Sequence, residues 1–156
     1  MTGLRRATIT VLMVMTAAAA SASDQAVFDE KADANAQIRA AVAEASRSGK
    51  NIILDFGANW CYDCHVLDNA MHRPALAPLI EKNYIVVHID IGKFDKNLDV
   101  AKKYHVPIKK GVPALAVLDP KGKLLYAQEE GQFEDARDLR PENFREFFEK
   151  WTPKRN

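Results

Sequence analysis

Apolar positions along this chain alternate between two periods, one suited to helices and one to buried strands. From Asp24 to Ser48, the residues Phe28, Ala32, Ile38, Val42 and Ala45 fit a single helical stripe, and Gly49 supplies a stop. Ile52-Ile53-Leu54-Asp55-Phe56 is then a short, nearly continuous apolar run, the pattern of a strand covered on both faces. A helix is predicted to open near Cys61 and to break around Pro74, with a second helical stretch reaching about Lys82. Tyr84 to Asp90 reads as a second strand. Asp95 to Tyr104 reads as a helix with Leu98, Ala101 and Tyr104 on its inner side. Ala114 to Leu118 is a third strand, turned by Asp119-Pro120-Lys121-Gly122 into a hairpin partner over Lys123 to Ala127. Gly131 to Arg140 is a charged stretch with the composition of a solvated loop. Pro141 then opens a helix whose Phe144, Phe147, Phe148 and Trp151 recur at helical spacing. This order predicts an α/β fold with a central sheet, helices on both faces, and an extra helix at the N-terminal end.

The first 22 residues follow another logic. Arg5 and Arg6 precede an apolar run from Ala7 to Ala20, which ends in the small residues Ala20-Ser21-Ala22. Thr8, Thr10 and Thr16 interrupt the run, and it falls short of the roughly 20 residues that span a bilayer. A buried helix or a retained anchor is the alternative. A secretory leader cleaved near Ala22 fits better, and it predicts a periplasmic or secreted protein, with residues 23–156 as one domain. Losing the two arginines takes the formal charge from +1 to −1. Such a balance gives no footprint for nucleic acid, and an exported chain meets conditions in which a disulfide persists.

Two cysteines in 156 residues exclude a disulfide-dense scaffold and a four-thiolate metal site within the chain. Their placement is more informative than their number. Trp60-Cys61-Tyr62-Asp63-Cys64-His65 follows the first strand directly and opens a helix. There the first sulfur meets unpaired backbone N–H groups and the positive end of the helix dipole, which favour the thiolate. Cys61 is therefore the expected nucleophile toward a partner disulfide, and Cys64 the thiol that resolves the mixed disulfide. So short a ring removes little chain entropy, so stability alone gives weak reason for it.

Two further positions bear on this pair. Asp55 interrupts an apolar strand, where a carboxylate costs free energy unless it is protonated, solvated or paired. Pro113 stands between Val112 and a strand, an awkward place for a residue without an N–H, and a cis peptide bond would explain it. Pro107 also follows a valine, but it lies farther from the next strand.

Taken together, the run from Asp55 through Cys64 and the later Gly111-Val112-Pro113 resemble the thioredoxin family over about residues 50–130. The resemblance extends to exported thioredoxin-like domains such as the C-terminal domain of the thiol–disulfide interchange protein DsbD. It implies a thioredoxin fold with a central mixed sheet, and a protein-disulfide reductase or electron carrier that needs no bound cofactor or metal. It implies that Asp55 exchanges a proton with the Cys64 thiol and that Trp60 shields the disulfide and meets partners. Val112, ahead of Pro113, would offer backbone hydrogen bonds to an extended substrate. The expected partners are protein thiols or disulfides, with a membrane reductant transporter as electron source, and the expected state is a monomer. Two departures matter. Tyr62-Asp63 replaces the Gly-Pro of typical members, and Asp63 is expected to add negative charge near the sulfurs, disfavour the thiolate and make the couple less oxidising. Pro107-Ile108-Lys109-Lys110 looks inserted.

Other readings of these residues carry different expectations. Cys61-x-x-Cys64-His65 matches the c-type haem attachment pattern, with Met71 as a second axial ligand. A metal site from Cys61, Cys64, His65 and His72 would need histidines two helical turns apart to converge. A non-catalytic binding module using the same fold is the runner-up from another class. His88 and His105 have no partners at suggestive spacing and read as structural or surface residues.

Overall fold

The computed structural model describes residues 26–129 and 131–154. The leader expected over residues 1–22 and its cleavage point near Ala22 lie outside them. Four strands form one mixed sheet in the order β2-β1-β3-β4, with β1 at Asn51–Gly57, β2 at Tyr84–Asp90, β3 at Ala114–Leu118 and β4 at Leu124–Ala127. β2 runs parallel to β1, whereas β3 and β4 are antiparallel to their neighbours. Every residue of β1 is buried, which is why it reads as an almost unbroken apolar run.

Helices cover both faces, as the alternation of elements predicts. On one side α1, Ala34–Ser48, buries Ile38, Ala41 and Ala45 in a core with Ile52, Leu54 and Phe56. On the other, α2 (Tyr62–His72), α3 (Ala77–Asn83) and α5 (Pro141–Lys150) enclose Ile53, Leu115 and Val117. A short α4, Leu98–Lys103, completes the set.

Three expectations need correction. α1 begins at Ala34 rather than near Asp24, because Asp33 Oδ1 caps it by accepting the Ala36 N–H at 3.0 Å. Phe28 instead lies in a bend ahead of α1, held by Asn59, which accepts the Phe28 N–H at 3.0 Å and donates to the Phe28 carbonyl at 2.8 Å. In α4 the buried residues are Val100 and Ala101, while Leu98 is exposed. The charged stretch 131–140 is not simply solvated: Phe133 and Ala136 are buried in the second core, and Ala136–Asp138 forms a 3-10 turn. Among the described residues no helix is long and apolar enough to cross a membrane.

Candidate active site

β1 ends at Gly57, and the chain turns through Ala58-Asn59-Trp60 into α2, with Cys61 at its N-cap. Cys61 and Cys64 are joined in a disulfide with Cα atoms 5.3 Å apart. The Cys64 N–H donates to Cys61 Sγ at 3.1 Å, so the first sulfur occupies the acceptor position at the head of the helix. Among the described residues no lysine, arginine or histidine makes a hydrogen bond or ion pair with that sulfur. His65, one residue past the pair, turns its Nε2 to the Asn59 carbonyl at 2.8 Å instead.

The Val112–Pro113 peptide bond is cis, and among the described residues the Val106–Pro107 bond is not. The Val112 carbonyl lies 3.5 Å from Cys61 Sγ, so the loop expected to meet substrate does sit against the outer sulfur. The Pro107–Lys110 segment, expected to be an insertion, forms a 3-10 turn at Ile108–Lys110. Ile108 is buried in the α1-side core, and Lys110 Nζ donates to the Glu129 carbonyl at 2.6 Å. The turn is thus anchored at both ends.

The outward surface is aromatic. Trp60 is 55% exposed and Tyr62 67%. Trp60 Nε1 donates to the Gly92 carbonyl at 2.7 Å, which fixes the indole beside the Phe94 ring at a centroid distance of 5.7 Å. Phe94 is itself exposed and holds a left-handed backbone (φ 64°) that bulky residues rarely adopt.

Behind the disulfide the surroundings reverse in character. Cys64 and Asp55 are both fully buried. A Cβ on Gly57 would stand 2.8 Å from Cys64 Sγ and 2.5 Å from Phe28 Cζ, so only glycine lets this sulfur and this ring close over the strand. Asp55 lies two residues earlier on the same strand face, roughly 6.5 Å along the chain. Its Oδ2 is 2.9 Å from His88 Nδ1, and among the described residues Oδ1 has no hydrogen-bond partner. Burial, the largest influence, pushes the Asp55 carboxyl above the ordinary carboxylate range, against the hydrogen bond and charge of His88. Burial alone would lower the His88 imidazole, but the hydrogen bond and charge of Asp55, helped by Asp68, outweigh it and raise it above 6.5. Both shifts point one way: the pair keeps a proton that the separate groups would release.

Two expectations change here. His88 is no isolated residue: it faces Asp55 in the parallel register of β1 and β2. Asp63 does not present a bare charge to the sulfurs. Its Oδ1 accepts the Arg137 backbone N–H at 2.9 Å and Arg137 Nε at 3.1 Å, and its Oδ2 pairs with Arg137 Nη2. The Arg137 guanidinium carbon also lies 5.7 Å from the Tyr62 ring centroid. The supposed loop 131–140 therefore supplies the counter-charge to the residue between the cysteines. Met71, the axial ligand of the haem reading, is packed in the second core while Cys64 belongs to the first. Among the described residues no group of three His, Cys, Asp or Glu side chains is placed to hold a metal ion, and His65 and His72 make separate backbone contacts.

A sequence profile of thioredoxin-like proteins matches residues 33–120. No curated protein matches the chain. A crystal structure described as a disulphide isomerase from Xylella fastidiosa Temecula1 is 38% identical, with a TM-score of 0.78, covering 82% of this chain and 98% of its own. The reduced C-terminal domain of DsbD from Neisseria meningitidis is 19% identical, with a TM-score of 0.54, covering 79% of this chain and 97% of that one. A thioredoxin from Thermus thermophilus is 18% identical at a TM-score of 0.54, with coverage of 72% and 81%. The last two share the fold. Given the matched span and the cysteine pair at the head of α2, this chain belongs to the thioredoxin-like family, whose members exchange thiols and disulfides with other proteins.

Proposed function

We propose that this thiol–disulfide oxidoreductase works as an exported reductant, cycling between the disulfide described here and a dithiol. The Cys61 thiolate attacks a client disulfide, forming the Cys61–client bond and expelling one client thiolate, which takes a proton from water. The Cys64 thiol passes its proton to Asp55, directly or through one water. Cys64 Sγ then attacks Cys61 Sγ, and the second client thiolate leaves. Trp60, next to Cys61 in the chain, offers its exposed indole to the client, and Val112 and Pro113, whose loop meets Cys61 Sγ, receive an extended client segment. An upstream thiol protein or a membrane reductant transporter restores the dithiol, and the protein acts as a monomer. Arg5-Arg6 followed by the apolar run from Ala7 to Ala20 and the small residues Ala20-Ser21-Ala22 supports export.

The observation that carries the direction of electron flow is the absence, among the described residues, of any cation held against Cys61 Sγ. Strong oxidants owe their potential to a stabilised thiolate. Here the arginine nearest the motif is committed to Asp63 and the adjacent histidine to Asn59. With Asp63 paired to Arg137, its charge no longer sets the potential of the couple. Wild type should reduce insulin and Cys61→Ser should not; equal behaviour would leave only a binding module. A glutathione titration should place the potential well below roughly −120 mV, and a value at or above it would contradict the reductant reading. The 38% identity to a protein described as a disulphide isomerase favours isomerisation as a second reading. Reactivation of scrambled ribonuclease, faster than reduction of insulin at equal concentration, would select it.

A further inference from the structure

His88 stands between two carboxylates. Its Nδ1 is 2.9 Å from Asp55 Oδ2 on β1, and its Nε2 is 3.6 Å from Asp68 Oδ1 on α2. Asp68 Oδ1 lies in turn 3.5 Å from Nδ1 of the exposed His72. Asp55 is fully buried, whereas the His88 side chain is 22% exposed and Asp68 17%. The series therefore leads from the sealed core behind Cys64 to the surface of α2. Phe28 packs edge-on against the imidazole at 5.3 Å. Asp29, just before α1, and Glu44 of α1 line the same recess at the edge of β2. Among the described residues, the ion-pair partners of His88 are both acids, Asp55 and Asp68, with His72 beyond Asp68.

We propose that His88 is the charge outlet of Asp55: when Asp55 takes the Cys64 proton, His88 releases one to water beside Asp68. This rests on the reading of Asp55 as the proton acceptor. The step balances. In the dithiol form the pair is a carboxylate and an imidazolium, with no net charge. The Cys64 S–H bond breaks, its electron pair stays on sulfur and forms the bond to Cys61 Sγ, and the proton goes to Asp55 Oδ1. His88 keeps its Nδ1–H on Oδ2 and gives up the Nε2 proton, so the pair is again neutral. When an upstream donor reduces the disulfide, Asp55 returns its proton to Cys64 and His88 takes one from water at Nε2. Without the outlet the core would hold an uncompensated charge at one stage of each cycle, a state that burial disfavours strongly. His88 is on this account a positioning residue, acting through Asp55 with no contact to the client.

The test is the rate at which Cys64 releases a client from a preformed mixed disulfide on Cys61, measured against pH. His88→Gln keeps a polar side chain but removes the cation that holds Asp55 ionised. Its release rate should fall about tenfold at pH 7, and the acid limb of the profile should move up by about one pH unit. The attack of Cys61 on the client should be unchanged. A wild-type profile in His88→Gln beside a slowed Asp55→Asn would overturn the outlet and leave the acceptor in place. If Asp55→Asn also matched wild type, the acceptor reading itself would fall. Asp68→Asn, a change near the surface, gives an independent measurement in the intact fold. The His88 ring, followed by NMR titration, should lose about threefold in proton affinity in that variant. An unchanged midpoint would remove Asp68 from the outlet.

Discussion

The two sulfurs of one disulfide face opposite kinds of surroundings. Cys61 meets the Val112 carbonyl, the cis Pro113 loop and a rim where Trp60, Tyr62 and Phe94 stay open to solvent. Cys64 is sealed beneath the Phe28 ring, against the bare Cα of Gly57 and near a buried acid with its own histidine. The outer side offers shape and apolar area, which on the proposed reading would recognise a client. The inner side offers nothing to a client and everything to a proton. On the proposed roles, nucleophile and resolving thiol would be distinguished less by the helix they share than by the strand face behind one of them.

Breaking the inner side by volume should give the largest effect. Gly57→Ala forces a methyl group against Cys64 Sγ and the Phe28 ring, and should cost about 1–3 kcal/mol in chemical denaturation. No loss of stability would mean that the close packing behind Cys64 is dispensable.

The same side should also give stability a pH dependence. Asp55 and His88 are both raised in the folded protein, so the fold holds protons that the unfolded chain releases. The contribution of His88 is fully present below its ordinary 6.5 and is lost as pH rises through its higher folded value. For Asp55 the contribution is present below 3.8 and is lost through its raised value. Stability should therefore fall as pH rises above 6.5, with a slope of up to about 1.4 kcal/mol per pH unit for one proton. Asp55→Asn should flatten that slope, as read from denaturation midpoints between pH 6 and 9. A stability that rises over this interval would contradict the assignment.

The clamp between the motif and the 3-10 turn gives a smaller effect. Arg137→Ala leaves the Asp63 carboxylate without its counter-charge, which disfavours thiolate and hence the reduced form. The reduction potential should become more negative by about 10–30 mV, measured against glutathione. A shift in the other direction would show that Arg137 acts on the sulfurs by another route. The outer rim should respond least: Phe94→Ala should raise KM for a protein client about twofold, leaving kcat and the reduction of small disulfides alone. A loss confined to kcat would place Phe94 in the chemistry rather than in recognition.

Much of this arrangement is legible in the sequence where it is local. β2 and β3 have the boundaries that their apolar runs imply, and the cysteine pair sits at the strand-to-helix junction that its spacing requires. The cis bond falls at Val112–Pro113, where a missing N–H before a strand called for one. What escapes is long-range or hidden by composition. Phe28 fits a helical period, yet it is held by Asn59, 31 residues away. Phe133 and Ala136 are buried although charged neighbours surround them in sequence. The partners of Asp55 and Asp63 lie 33 and 74 residues along the chain, His88 brought by parallel register and Arg137 by the packing of a turn. No periodicity carries that information. A histidine on a strand beside another strand's buried acid was the available signal, and it needs the strand pairing to be read.

The division of labour between the sulfurs is tested most directly by resolving its two steps in time. Wild type and Asp55→Asn, each reduced and mixed with a client disulfide, would be quenched at intervals and their mixed disulfides counted. Formation on Cys61 should proceed at the same rate in both, and release should be slowed by roughly 10²-fold in Asp55→Asn at pH 7. Equal release rates, or an equal slowing of both steps, would contradict that division of labour.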